Sequence, residues 1–275
     1  MNAPVMDYRD RLLRVMEYVD DHLGQPLTLE TLAEQACFSP FHFHRVFSAC
    51  IGEGPLEYFR RLRIEKAALA LIHQGQKSIT EIAMTYGFSS SEVFCRAFRR
   101  QLGVTPGEYR RDPLQALRQL KTRTLPDLPD PVRPGYLVLS LVERPRAEAL
   151  AVRSWNGYGD HLFKLWEEFC ARARSLGLMG EGCQVIGLSL DDPFLTPQDR
   201  CREVACVVPP PGVRLPRPIP SGLSARRLDA GTYVRLDIRS WVQDLQNAYR
   251  WFYLVWLSGE GSDWEPIDHP ALEQY

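Results

Sequence analysis

The sequence predicts a multidomain chain: an all-α double helix-turn-helix domain followed by an α+β domain with pseudo-two-fold strand-helix-strand-strand repeats. Three observations carry this. Apolar residues recur at helical spacing through the first 112 of 275 residues. Part of that stretch repeats itself after fifty to fifty-one residues. Beyond a proline-rich segment the pattern changes from helical to extended.

In the front part, Tyr8, Leu12, Val15, Met16, Val19 and Leu23 share one helical face, and Gly24 follows as a stop. Thr28 is placed to cap a second helix carrying Leu29, Leu32, Ala33 and Ala36. Ser39-Pro40 reads as a cap followed by proline at the first helical position, opening a helix to about Ile51. Pro55 opens a long helix to about His73. Ser78 and Glu81 form a capping box for a fifth helix, which Gly87 ends. A sixth runs from about Ser90 to Leu102, and Thr105-Pro106 starts a short seventh.

Prolines at 113, 126, 129, 131 and 134 forbid a continuous helix, so 113–135 reads as a linker between domains at 1–112 and 136–275. After it, Tyr136–Val142, Glu148–Val152, Val185–Leu190, Glu203–Val208 and Tyr233–Ile238 read as strands. Asp160 is placed to cap a helix closed by Gly177, and Ser240 to cap an apolar helix up to Leu257. The prolines between 209 and 220 make a surface connector.

The repeat bears on function. Leu32-Ala33 and Phe38-Ser39 recur as Ile82-Ala83 and Phe88-Ser89. Arg45, Phe47, Gly52, Pro55 and Tyr58 recur, one residue further on, as Arg96, Phe98, Gly103, Pro106 and Tyr109. Each copy is a short helix with a small alanine, a tight turn, and a helix with an exposed Arg and a buried Phe. In such a unit the first helix braces and the second enters the major groove. Phe47 and Phe98 would anchor the second helices. Anchoring leaves Phe41, His44, Arg45 and Ser48 bare in the first copy, and Ser91, Glu92, Cys95 and Arg96 in the second. These eight are the candidate DNA contacts. The helix from Pro55 spans about 28 Å at 1.5 Å per residue, so it could hold two reading helices near one duplex turn apart, about 34 Å.

Composition sets limits. The chain is 45% hydrophobic and 24% charged, with net charge −1, so attraction to nucleic acid or anionic lipid must come from a local patch. Charge is indeed polarised: residues 1–43 carry three Arg against seven acids, and residues 44–111 carry eleven Arg or Lys against six. The longest apolar run, Trp251–Leu257, has seven residues, where a membrane span needs about 20. No signal-peptide pattern follows Met1. Seven cysteines without a Cys-x-x-Cys pair point to reduced thiols and a cytoplasmic chain. His42 and His44, two apart on a helix, do not share a face and make no metal pair. Cys201 and Cys206 fall on opposite faces of an extended segment and read as core thiols. With no metal-ligand spacing, phosphate-binding glycine loop or nucleophile–His–acid set, neither metal nor cofactor is expected.

The segment from Ser78 to Arg111 resembles the signature of the AraC/XylS family of bacterial transcription regulators, in Ile82-Ala83, Gly87-Phe88, Arg96, Phe98, Gly103, Pro106 and Tyr109-Arg110. Residues 28–61 resemble that family's first helix-turn-helix. The resemblance implies binding of double-stranded DNA by two recognition helices in successive major-groove segments, with RNA polymerase as a further partner. The back part resembles the GyrI-like effector-binding domains, through the stretches from Val142, Val185, Cys201 and Asp229 and through Ala271–Tyr275. It departs from their pattern at Asn156-Gly157-Tyr158, where Gly-Pro-Tyr is usual. The combination is that of the Rob-like subgroup. It implies an aromatic cleft with one acidic residue for a hydrophobic, often cationic, small-molecule effector. Most of the back part's aromatics serve the core. Tyr158, Trp166, Trp241, Trp256, Trp264 and Glu273 are the candidate ligand residues. The competing reading is a small-molecule hydrolase with Glu273 as general base.

Overall fold

The structure, a computed structural model, describes residues 8–113, 115–116, 137–154, 157, 159–193, 195–238, 248–249, 251–256 and 271–274. The front part is helical: α1 Tyr8–Asp21, α2 Leu29–Gln35, α3 Pro40–Ile51, α4 Pro55–His73, α5 Ile79–Thr85, α6 Ser91–Leu102 and α7 Pro106–Arg111. The expected caps are in place. Thr28 and Ser39 each accept a hydrogen bond from the amide three residues on, and Ser78 with Glu81 closes a capping box. Ser90, expected as the start of the sixth helix, caps it in the same way. A second box joins Thr105 to Glu108.

Two cores lie along α4. One gathers Leu12, Met16, Leu32, Phe43, Phe47 and Leu62, and the other Ile64, Leu71, Ile82, Phe94, Phe98 and Tyr109. The helix passes from one to the other between Leu62 and Ile64, so it is buried nearly all round rather than on one stripe. The repeat is visible in the packing. Phe43, Phe47 and Tyr58 form a ring ladder with centroids 5.4 Å apart at each step. Phe94, Phe98 and Tyr109 repeat it at 5.4 and 5.5 Å. Ala33 and Ala83 are buried where the short and long helices of each unit meet.

The back part holds β1 Leu137–Arg144, β2 Ala147–Ser154, α8 Asp160–Ser175, β3 Gln184–Ser189, β4 Glu203–Val208, β5 Ser224–Leu228, β6 Gly231–Ile238 and β7 Ala271–Gln274, with a short 3₁₀ turn at Gln198–Arg200. Five strands form an antiparallel sheet in the order β5-β2-β4-β3-β7, and β1 pairs with β6 separately. Both ladders keep one register: Arg144 faces Gly231 and Ala147 faces Leu228. The two pairs are therefore one long antiparallel ribbon, interrupted at Pro145, which has no N–H to give. One sheet face carries Leu150, Val152, Ala205 and Val207, on which α8 lays Phe169 and Ala173.

The expected strands and the helix between them are present, and several details differ. Asp160 is the first residue of α8, and the cap position belongs to Gly159, with no side-chain cap bond. β5 and β7 were not expected. Ser224–Leu228 and Ala271–Gln274 contain no β-branched residue, and both are sheet-edge strands fixed by pairing on β2 and β3. Ser240 and most of 113–135 lie outside the described residues. Phe252–Trp256 forms a π-helical turn. Among the described residues, no helix is long and apolar enough to cross a membrane.

Candidate functional site

The eight candidate DNA contacts sit on α3 and α6. Phe41, His44, Arg45, Glu92 and Arg96 are exposed, and Ser48, Ser91 and Cys95 are half-buried. Phe41 is 73% exposed, a large aromatic ring left in water on a helix whose other face is core. Arg45 lies over it, 5.8 Å from the ring centroid. The Ser48 hydroxyl is enclosed and has no hydrogen-bond partner, which turns that side chain away from the open face. Burial, then the nearby Glu92, raises the Cys95 thiol pKa, so this cysteine is not a reactive thiolate. Ser90 holds the Glu92 carboxylate at the start of α6 and lowers its pKa. His42 packs instead of reaching outward, with Phe38 edge-on at 4.8 Å.

Between the units a groove is lined by Arg60, Arg63, Arg96 and Arg100 with Leu56 and Phe88. Four of the eleven basic residues of 44–111 are thus gathered beside α6. Arg63 has a further role. Its guanidinium donates to the carbonyls of Leu23 (2.6 Å), Gly87 (3.2 Å) and Gln25. It joins the turn after α1 to the turn before α6. Sequence reading missed it because a helical arginine is most often solvated.

In the back part the structure places Trp166, Glu273 and Trp256, while Tyr158, Trp241 and Trp264 lie outside the described residues. Glu273 Oε1 accepts hydrogen bonds from the Ser189 hydroxyl at 2.8 Å and the Tyr249 hydroxyl at 2.9 Å. Trp166 is turned to a different carboxylate: its indole N–H donates to Glu203 Oε1 at 2.8 Å. Glu203 is buried, and that burial, followed by repulsion from Glu273, pushes its pKa up to about 7. Ser189 pairs with Glu203 on one side and Ala271 on the other, so both carboxylates flank β3 on one face of the sheet. Phe163, one turn before Trp166 on α8, is 69% exposed. Trp256 belongs to another cluster: it stacks on Phe252 at 5.2 Å beside Leu137 and Trp251. Glu203, Tyr249 and Phe163 were missed. A lone acid opening the apolar run Glu203–Val208 was the available signal for the first. Among the described residues, no group of His, Cys, Asp and Glu is suited to hold a metal ion.

The two parts meet through charge. Arg202, fully buried, is gripped by Asp191 through Nε at 2.7 Å and Nη2 at 2.5 Å. Its Nη1 reaches Asp20 of α1 at 2.8 Å and the Tyr58 hydroxyl of α4 at 2.9 Å. Arg153 lies 2.8 Å from the other Asp20 oxygen, and Arg200 lies 3.2 Å from Glu53. Burial raises the Asp20 pKa, but the two guanidiniums outweigh it and hold the carboxyl well below the usual range. Leu195, between β3 and β4, is buried in the second core of the helical part.

The helix-turn-helix domain family HTH_18 matches residues 32–112, and the GyrI-like small molecule binding domain family matches residues 142–275. Over 108 residues, 39% of this chain, the sequence is 36% identical to the right origin-binding protein of Escherichia coli, of which it covers 37%. The chain thus spans just over a third of that relative's length. Over 105 residues, 38% of this chain, it is 31% identical to the regulatory protein SoxS of Salmonella typhimurium, of which it covers 97%. A solved AraC-type regulator from Chromobacterium violaceum is 28% identical, covers 38% of this chain and 93% of its own, and superposes with a TM-score of 0.36. The chain belongs to the AraC-type helix-turn-helix family and carries a GyrI-like domain on its carboxy-terminal side.

Proposed function

We propose that this chain is a cytoplasmic transcription regulator that reads double-stranded DNA with α3 and α6 and answers to a small-molecule effector. In this reading residues 1–112 bind DNA, 113–135 link, and 136–275 take the effector. The observation that carries it is the duplicated open face. Two helices of matched cap, length and aromatic anchor each turn an exposed arginine, Arg45 or Arg96, to solvent. A solvated pair of arginines is common. A pair repeated in register on helices that follow a tight turn is what groove reading requires. RNA polymerase fits as a further partner, since regulators of this type act at promoters.

The effector reading rests on Glu273 and Glu203. Two carboxylates flank one strand, with Trp166 and Tyr249 against them and the exposed Phe163 nearby. Such a group suits a hydrophobic cation, which the aromatic faces would cover and a carboxylate would neutralise.

The test has two arms on the full-length chain. Selection from a random duplex pool should return sequences with two fixed blocks about one helical turn apart; a pool without enrichment sinks the DNA reading. Tryptophan fluorescence titration with a hydrophobic quaternary ammonium dye should give weaker binding in Glu273→Gln. Equal affinity in the two proteins sinks the charge argument for the effector.

A further inference from the structure

Two recognition helices on one long helix are held at a fixed separation only if the units cannot rock about that helix. The two cores along α4 are separate, and they change over between Leu62 and Ile64. Helix α4 therefore sets the axial distance between the units. Their mutual rotation needs another constraint.

That constraint lies at the changeover. Arg63 sits between the last residue of the first core and the first of the second. Its three nitrogens reach three carbonyls: Leu23 and Gln25 of the first unit, and Gly87 of the second. Its guanidinium lies over Phe59 of the first core at 4.1 Å and over Phe88 of the second at 5.9 Å. The backbones touch at the same place. A Cβ on Gly87 would stand 2.5 Å from the Gly24 carbonyl oxygen, and one on Gly24 would stand 2.7 Å from that of Thr85. Burial lowers the Arg63 pKa to about 10, so the charge is retained at neutral pH with carbonyls and rings as its neighbours.

We infer that Arg63 is a positioning residue: by clamping the turn after α1 to the turn before α6, it sets the separation of DNA segments that the chain accepts. The inference rests on the two-block reading proposed above. Only a planar fork can meet three carbonyls from two units at once. A lysine ammonium reaches fewer, and a methionine reaches none. The three nitrogens of the clamp are taken up by backbone carbonyls, so its loss should leave each block's preferred sequence unaltered. What should change is the tolerance for the distance between blocks.

The experiment is a selection from a random duplex pool with full-length wild type, Arg63→Lys and Arg63→Met, each checked by thermal unfolding. Selected sites are then measured by anisotropy, as selected and with one base pair inserted between the blocks. The insertion should weaken wild-type binding by about tenfold, the size of one mismatched contact, and each variant by less than about threefold. Block sequences should be the same in all three proteins. A folded variant with the wild-type spacing penalty overturns the inference. So does a uniform loss on every duplex with a shallower salt dependence, because that marks Arg63 as a phosphate contact. If Arg63→Met does not fold, Arg63→Lys alone decides by the same ratio. If wild type selects no two-block site, the DNA reading itself fails. If wild type selects such sites and the variants keep their spacing, only the clamp fails.

Discussion

Arg202, two residues after the 3₁₀ turn that precedes β4, donates to Asp20 of α1 at 2.8 Å from inside the joint between the two halves of the chain. Two acids of the acidic stretch 1–43 serve this joint. Asp20 meets Arg202 and Arg153, and Asp10 receives the Ser221 hydroxyl and the Gly222 amide, while Glu53, from the basic half, meets Arg200. Arg60, Arg63, Arg96 and Arg100 of the basic half line the groove beside α6. The same segment, Asp191 to Arg202, begins just after Ser189 and ends just before Glu203, both in the carboxylate site.

The joint is expected to be sensitive to the loss of one partner. Asp20→Asn removes the charge that faces two buried guanidiniums. Asp20 is half-buried and Arg202 keeps Asp191, so the loss should fall below the cost of breaking a fully buried pair, about 3–5 kcal/mol. The Asp20 pKa is lower in the folded chain than its ordinary 3.8. Its contribution is therefore present above that value and lost as pH falls through the folded one. Urea unfolding should show a large gap between wild type and Asp20→Asn at pH 7, narrowing on acidification. A gap that stays the same at low pH contradicts the ion pair.

Glu203 works in the opposite direction. Its pKa rises from 4.5 to about 7 on folding, so the unfolded chain loses this proton first as pH rises. Between those values the native state is progressively penalised, by about 3 kcal/mol in total. Glu203→Gln is expected to unfold at a higher temperature than wild type at pH 8 and to lose the advantage near pH 4. Thermal scans across that range check it; a variant less stable at pH 8 would show that the ionised carboxylate is needed in place.

The turn of each unit gives a paired test. Residue 87 is glycine with φ +71°, and the matching position in the first copy is Cys37 with φ +54°. A left-handed conformation costs a non-glycine residue roughly 1–2 kcal/mol. Cys37→Gly is therefore expected to gain up to about 1 kcal/mol. Gly87→Ala should lose more than the conformational cost, since its Cβ would overlap Arg63 and the Gly24 backbone. Chemical unfolding of both variants checks the signs, and a stable Gly87→Ala would mean that the units do not touch as described.

Much of the helical part was legible because its signals are local. Thr28, Ser39 and Ser78 cap the helices they precede, and the fifty-residue repeat exposes the unit. Arg63, Arg153 and Arg202 were not legible. Arg63 reaches 24 to 40 residues along the chain, Arg153 reaches 133, and Arg202 reaches 144 and 182 as well as its nearer partner Asp191, and no periodicity reports such distances. The strands β5 and β7 were missed for the same reason, since their pairing partners, and not their own residues, make them extended. In the effector site, Glu273 was visible as an acid among aromatics. Glu203 was hidden by its place at the start of a core strand.

On the DNA face, Arg96→Ala is expected to weaken binding to many duplexes alike and to reduce the slope of log affinity against log salt by about 1. An anisotropy titration over a range of salt concentrations measures it. An unchanged slope removes Arg96 from the contact set.

Whether α3 and α6 read one duplex together is decided by hydroxyl-radical footprinting of the full-length chain on a selected site. Two protected segments about one helical turn, 10–10.5 base pairs, apart are expected, with Arg45→Ala fading one and Arg96→Ala the other. A single protected segment, or both arginine variants fading the same one, would contradict reading by both helices.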